Sequence, residues 1–272
     1  MAVICLTREL AAKGEETARE LARLGGYRYI ERDYIEARLA EHKIGADILQ
    51  QYDEKRPGLW ASMSENRDRY LHFLKAIIYE ETAKGRCVIL GRGAWALLRE
   101  VPGVLSVRLM APPDVRIDRV KLAYACDDKT AEYHIRQSDN NRQGFHRYFF
   151  DINWRDSTLY DMTMNSGRID PQTAAYTIEE LRKVMISPED ENAGRFKLEE
   201  LRLKTAVAGE IVFARRIQIQ SLAVLVDGGR VTLAGYTVSR IVANAAVEAA
   251  RKVPGVESVT DELSIVPPVV GS

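Results

Sequence analysis

Val3-Ile4-Cys5-Leu6-Thr7-Arg8-Glu9-Leu10-Ala11-Ala12-Lys13-Gly14, followed by the Ala- and Leu-rich stretch Glu15 to Arg23, is the segment whose reading decides the fold. Val3 to Leu6 is a short apolar run without alternation, the pattern of a strand buried on both faces. The helix that follows carries Ala18, Leu21, Ala22 and Leu24 on one apolar face. Gly25-Gly26 stops it, and Tyr27 to Ile30 starts a second extended stretch. Strand, loop, helix and strand within about thirty residues read as a βαβ unit. The first loop of such a unit, with the helix N-terminus, offers free backbone N–H groups to a phosphate. Taken alone, the stretch could open any α/β domain.

Outward from it the pattern repeats. A helix-rich stretch runs to about Lys84, interrupted by Pro57-Gly58, and its longest helix, Glu65 to Lys84, has Leu71, Leu74, Ile77 and Ile78 on one face. Cys87 to Leu90 is a second doubly buried strand, followed by Gly91-Arg92-Gly93-Ala94 and a helix from Trp95 to Glu100. Pro102-Gly103 turns the chain into a strand from Val104 to Met110, and Asp114 to Ala125 is a helix carrying Arg116 and Arg119. Asp127 to Trp154 gathers Arg136, Asp139, Arg142, His146 and Arg147 among Phe145, Tyr148, Phe149 and Phe150, as an amphipathic helix with a basic face and an aromatic core face would. A last strand ends at Asn165, and Asp170-Pro171 starts a helix to about Met185, with Asp as N-cap. Strands alternating with helices predict a parallel sheet covered on both faces.

Ile186 to Arg195 is polar and rich in breakers, and is expected as a linker between a domain at 1–185 and another at 196–272. The second domain reads as a helix from Phe196 to about Ile211, strands Ser221–Val226 and Arg230–Tyr236 around Asp227-Gly228-Gly229, a helix Ser239–Lys252, and a strand Val256–Val266. That order, α-β-β-α-β, predicts a small α+β domain.

A chain of 272 residues can bury one full core and carry such an addition. Lys+Arg and Asp+Glu each total 39, so no chain-wide field draws nucleic acid or an anionic membrane, and any anion site must be local. Cys5, Cys87 and Cys126 lack metal or redox spacing, as do His42, His72, His134 and His146 for a metal. With no apolar run long enough to span a bilayer, and no leader pattern at the start, the expectation is a cytoplasmic protein without a membrane span.

Four blocks stand in order: Arg8-Glu9 with the loop to Gly14, Gly91-Arg92-Gly93-Ala94, Ser138-Asp139-Asn140-Asn141-Arg142, and Leu159 to Asn165. Together they resemble the cytidylate kinase-like family of nucleoside monophosphate kinases over about residues 1–185. Val224–Val231, Leu233-Ala234-Gly235 and Val253-Pro254-Gly255-Val256 resemble a BON domain. The resemblance implies a P-loop kinase-like parallel five-stranded sheet and transfer of the ATP γ-phosphoryl group to CMP, dCMP or a similar monophosphate, with Mg²⁺ accompanying ATP. It implies that Arg92 holds the acceptor phosphate, and that Arg136 and Arg142 come from a mobile lid with Asp139 orienting them or the acceptor. Arg116 and Arg119 would meet donor phosphates at the lid base, and Asn165 to Arg168 would wrap the donor base. For the BON-like part it implies a small ligand, a lipid or a protein partner.

The phosphate loop departs from the family pattern. Where relatives carry Gly-Ser-Gly-Gly, this chain has Ala11-Ala12-Lys13-Gly14, which removes easy positive φ angles. Lys13 falls one place ahead of the usual lysine, Glu15 and Glu16 sit where negative phosphate would rest, and Thr17 is one residue beyond the usual Mg²⁺ ligand. True cytidylate kinases have Asp after the arginine matching Arg92; here Gly93 follows. Two readings result: an active monophosphate kinase in which Arg8 or Lys13 replaces the missing lysine, or a catalytically impaired module that binds a phosphorylated ligand and reports through the BON-like domain.

Overall fold

The computed structural model describes residues 2–42, 44 and 64–266. The chain forms two compact units, Met1–Gly194 and Arg195–Ser272. In the first, strands β1 (Val3–Arg8), β2 (Arg28–Ile30), β3 (Cys87–Leu90), β4 (Val104–Met110) and β5 (Met162–Asn165) form one parallel sheet in the order β2-β3-β1-β4-β5. Among the described residues the helices are α1 (Gly14–Gly25), α2 (Arg32–Glu41), α3 (Ser64–Ala83), α4 (Ala94–Leu98), α5 (Pro113–Tyr124), α6 (Asp128–Phe150) and α7 (Pro171–Met185).

β1 is buried at every position, as its unbroken apolar run requires. Its side chains alternate between faces: Ile4 and Leu6 join a core with Ala18 and Leu21 of α1 and Ala174, Ala175 and Ile178 of α7. Val3 and Cys5 point the other way. Cys5 and Cys87 are fully buried, and burial pushes the Cys5 thiol well up and the Cys87 thiol to about 12. Cys126 lies just past α5 and is partly exposed. The four sequence-predicted strands around Val3, Cys87, Val104 and Met162 share the one sheet. β2, however, does not pair with β1, because β3 occupies the slot between them. From β1 the sheet therefore grows in both directions, and the crevice beyond its carboxyl end is where open α/β sheets receive ligands.

The basic-aromatic stretch is the single helix α6. Asp127 caps it by accepting from Thr130 N at 2.8 Å, and Phe145 and Phe149 are buried. Asp170 caps α7 in the same way, from Thr173 N at 2.8 Å. Pro57-Gly58 lies outside the described residues.

The stretch expected as an irregular linker is helical from Pro188 onward: α8 spans Pro188–Gly209, and the boundary between the units falls within it. Its polar residues are start signals. Ser187 and Asp190 cap each other's backbone N–H groups, at 2.9 and 3.1 Å, and Glu189, Asp190 and Glu191 suit the positive end of the helix dipole.

In the second unit β6 (Gln220–Asp227) pairs antiparallel with β7 (Arg230–Thr237), and β8 (Ser258–Ile265) lies parallel to β7. Gly228 makes the tight turn at φ 61. α9 (Arg240–Arg251) buries Ala243, Ala246, Val247 and Ala250 with Val224, Val231, Leu233 and Leu263. The predicted α-β-β-α-β order is the one observed. Among the described residues no helix is long and apolar enough to cross a membrane.

A buried carboxylate ties the edge of the first unit together. Glu81 of α3 accepts from Arg28 (2.9 Å), Tyr34 (2.8 Å), Arg38 (2.7 Å) and Lys84 (2.6 Å). Burial alone would raise its pKa, but the bonds from Lys84, Tyr34 and Arg28 outweigh that and hold it below the ordinary value. A depressed folded-state pKa contributes stability that is present above the carboxylate range and lost as pH falls through it. Melting points followed by circular dichroism should therefore drop on acidification below about pH 4.5. Glu81→Gln should lower the melting point at neutral pH and flatten that acid decline.

Candidate functional site

The loop Glu9 to Lys13 leaves the carboxyl end of β1 and enters α1. Ala11 and Lys13 both hold left-handed backbone, at φ 62 and 56, with Ala12 buried between them. The alanines thus do not deny the loop its positive φ; Ala11 adopts one at a cost of about 1–2 kcal/mol. Neighbouring groups hold it there. Ala12 N donates to Glu9 O at 3.2 Å, Arg116 Nε donates to Leu10 O at 2.9 Å, and Arg119 Nη1 donates to Ala11 O at 2.9 Å. With those carbonyls engaged by α5, alternating backbone hands and the α1 N-terminus form the concave, N–H-rich turn that favours anions.

Arg8, at the end of β1, lies over this turn. A Cβ added to Gly14 would come 2.6 Å from Arg8 Cγ, so the arginine stem fills the space of a side chain at the family's lysine position. Its Nε and Nη2 donate to Glu15 Oε1 at 3.1 and 3.0 Å. Burial pushes the Glu15 carboxyl up, yet Arg8, the residue's own backbone N–H and the charge of Arg142 hold it below its ordinary value. A cation from β1 therefore meets the carboxylate at the start of α1.

The backbone N–H and hydroxyl of Thr173, with the Gln172 N–H and the charge of Lys13, hold the Asp170 carboxyl below the usual carboxylate range. Thr17 is fully buried and its hydroxyl donates to Lys13 O at 2.8 Å, inside the helix. A hydroxyl so placed does not fit a resident Mg²⁺. Nor, among the described residues, does any group of three or more acidic, His or Cys side chains. Glu16 is exposed on the first turn of α1.

Arg92 follows β3, beside β1, where Gly91 N donates to Leu6 O at 2.9 Å. It is 1% exposed, left-handed at φ 54, and paired with Glu36 of α2. A Cβ on Gly93 would run into the ring of Phe150, so no aspartate fits there without moving the end of α6.

Arg116 and Arg119 lie with the loop's carbonyls. Arg116 is buried, gives Nη1 and Nη2 to Asp139 at 3.0 and 2.8 Å, and meets Glu9 at 3.3 Å. Arg119 spans from Ala11 O to Ser166 O, the latter at 2.8 Å, joining the phosphate loop to the loop after β5. In that second loop the Asn165 side chain accepts from Gly167 N at 2.9 Å. Asp139 thus orients Arg116. Arg142 donates to the Ser138 hydroxyl on its own helix, whereas Arg136 stands exposed on α6.

Three residues that the sequence reading missed complete the arrangement: Glu9 as the acceptor for Arg108 (2.9 Å) and Arg116, Arg108 itself beneath the loop, and Glu36 as the partner of Arg92. A signal for Arg108 was present, since it is the one charge in the apolar run Val104 to Met110.

A doubly wound parallel sheet, with an arginine-flanked loop at the carboxyl end of its central strand where such sheets receive ligands, is a kinase-like fold. Residues 3–168 match the model of the cytidylate kinase-like family, and the chain belongs to that family. Residues 200–267 match the BON domain. The crystal structure of an uncharacterized protein from Eubacterium ventriosum is 25% identical, with a TM-score of 0.53, over 67% of this chain and 98% of that one. A gluconokinase from Sinorhizobium meliloti is 13% identical, with a TM-score of 0.42, over 67% and 94%. Shikimate kinase from Acinetobacter baumannii, in complex with shikimate, is 12% identical with a TM-score of 0.37, over 68% and 94%. No curated protein matches the sequence.

The double role of Arg119 is open to test. Arg119→Met leaves two carbonyls without their charged donor and should cost about 1.5–3 kcal/mol for each bond not replaced by water. Urea unfolding would measure it, with Arg119→Lys, which can serve only one carbonyl well, falling between.

Proposed function

We propose that the N-terminal unit transfers the γ-phosphoryl group of ATP to a nucleoside monophosphate such as CMP or dCMP. The observation that carries this reading is Arg8, from the central strand, donating twice to the Glu15 carboxylate at the start of α1, beside the left-handed loop. Phosphoryl transfer asks little covalent chemistry of the protein; it asks that charge be neutralised and oxygens held in line. Guanidinium groups meet that demand with paired donors and permanent charge.

In this reading Arg8 does the work of the loop lysine on the donor's terminal phosphates. Arg92 holds the acceptor phosphate, exchanging Glu36 for it. Arg142 and Arg136 close from α6, while Asp139, Arg116 and Arg119 keep the loop in shape. Mg²⁺ enters as the counter-ion of ATP, because the Thr17 hydroxyl is already engaged inside the helix. The C-terminal domain serves as the docking part, for a small ligand, a lipid or a protein partner, and the activity belongs to the cytoplasm.

The buried Thr17 hydroxyl favours a second reading, a module that binds phosphorylated ligands and turns over slowly. Turnover separates the two: rates of roughly 1–100 per second with ATP and CMP support the kinase, and rates far below that support the binding module.

Acceptor binding by Arg92 is checked by calorimetry. Arg92→Ala should weaken CMP binding by about 1.5–3 kcal/mol, the worth of a charged hydrogen bond, and unchanged binding would remove Arg92 from the site. Arg142→Ala should lower turnover more than acceptor affinity, since a closing segment completes the site late; equal losses would make it a ground-state anchor.

A further inference from the structure

We infer that the Glu15 carboxylate is an internal stand-in for phosphate, lodged against Arg8 at the start of α1, and that an incoming triphosphate must displace it. The inference rests on the phosphate-loop reading proposed above and adds a regulatory element to that site.

Three observations carry it. The first is position: Glu15 is in the first turn of α1, immediately after Gly14, and Nε and Nη2 of Arg8 both donate to one oxygen of its carboxylate. The second is the origin of the cation. Arg8 comes from the central strand, and its stem covers Gly14 so closely that no side chain could stand there. The third is an asymmetry of exposure: the Arg8 side chain is 10% exposed and that of Glu15 46%. The arginine is thus the fixed member of the pair and the carboxylate the one with solvent to swing into.

A carboxylate carries one negative charge and two acceptor oxygens, whereas a terminal phosphate carries about two charges and three oxygens. Phosphate therefore wins the exchange, but with only the difference between the two interactions as net gain. Affinity for the triphosphate is reduced by whatever the Glu15 contact is worth. The chemical class of ligand is a polyphosphate chain, and the loop should respond to that chain even without a nucleoside.

The test uses the full chain and tripolyphosphate as the probe, with isothermal calorimetry on wild type, Glu15→Gln and Glu20→Gln. Glu20 lies farther along α1 and pairs with Arg23, so its variant makes the same charge change away from the loop. Glu15→Gln should bind tripolyphosphate about tenfold or more tightly than wild type, the scale of one charge-assisted contact. Glu20→Gln should stay within about twofold, since screening weakens distant charges. Adding Arg8→Gln to Glu15→Gln should remove the gain. Measurable binding in wild type with no gain in Glu15→Gln, or an equal gain in Glu20→Gln, overturns the inference and leaves the kinase reading standing. No binding in either wild type or Glu15→Gln overturns both. If Glu15→Gln does not fold, Glu15→Asp, which draws the carboxylate back by one methylene, should show a gain in the same direction, and its absence overturns the inference.

Discussion

The loop after β1 depends on one largely covered carboxylate, that of Glu9. It accepts from Arg108 on β4 and from Ala111 N at 3.3 Å, and it faces Arg116 of α5. Buried guanidinium groups persist only when their charge and donors are met, and removing one partner strands the other. Glu9 meets two of them at once. Through Arg116 it reaches both the Leu10 carbonyl and Asp139 of the long helix α6. Sheet, phosphate loop and α6 thus share one electrostatic joint. A left-handed alanine persists in the loop because the surroundings over-determine it, not because the residue prefers that conformation.

The fold was legible because it depends on local pattern. The unbroken apolar runs at Val3 and Cys87 are too short for buried helices and fit strands covered on both faces, and Asp170-Pro171 marks a helix start by its chemistry. The order of the sheet was less so, since nothing in Tyr27 to Ile30 says that a strand nearly sixty residues later will lie beside β1. The boundary between the units falls in the stretch read as a linker, yet that stretch is helical: Ser187, Pro188 and Asp190 are breakers inside a helix but starters at its first turn.

The site was legible in part. The arginines stood out by type, but roles depend on what each guanidinium meets, and that is tertiary. Arg116 and Arg119, which the resemblance set at the lid base toward donor phosphates, give donors to the carbonyls of the loop Glu9 to Lys13. Glu36 could not be paired with Arg92 from the sequence, because 56 residues separate them. The glycine at 93 was visible in the sequence, and the ring of Phe150 gives it a physical cause: the space an aspartate would need is already filled.

The cysteines have a practical consequence. Cys5 and Cys87 are sealed in the central sheet with thiols held in the protonated, unreactive form, while Cys126 sits at the junction of α5 and α6 with part of its surface open. The thiolate is the form that alkylates. The native chain is therefore a ready-made single-label protein: a maleimide fluorophore attaches at the base of the long helix with no cysteine to remove, and its emission would report movement there while the rest of the molecule stays unmodified.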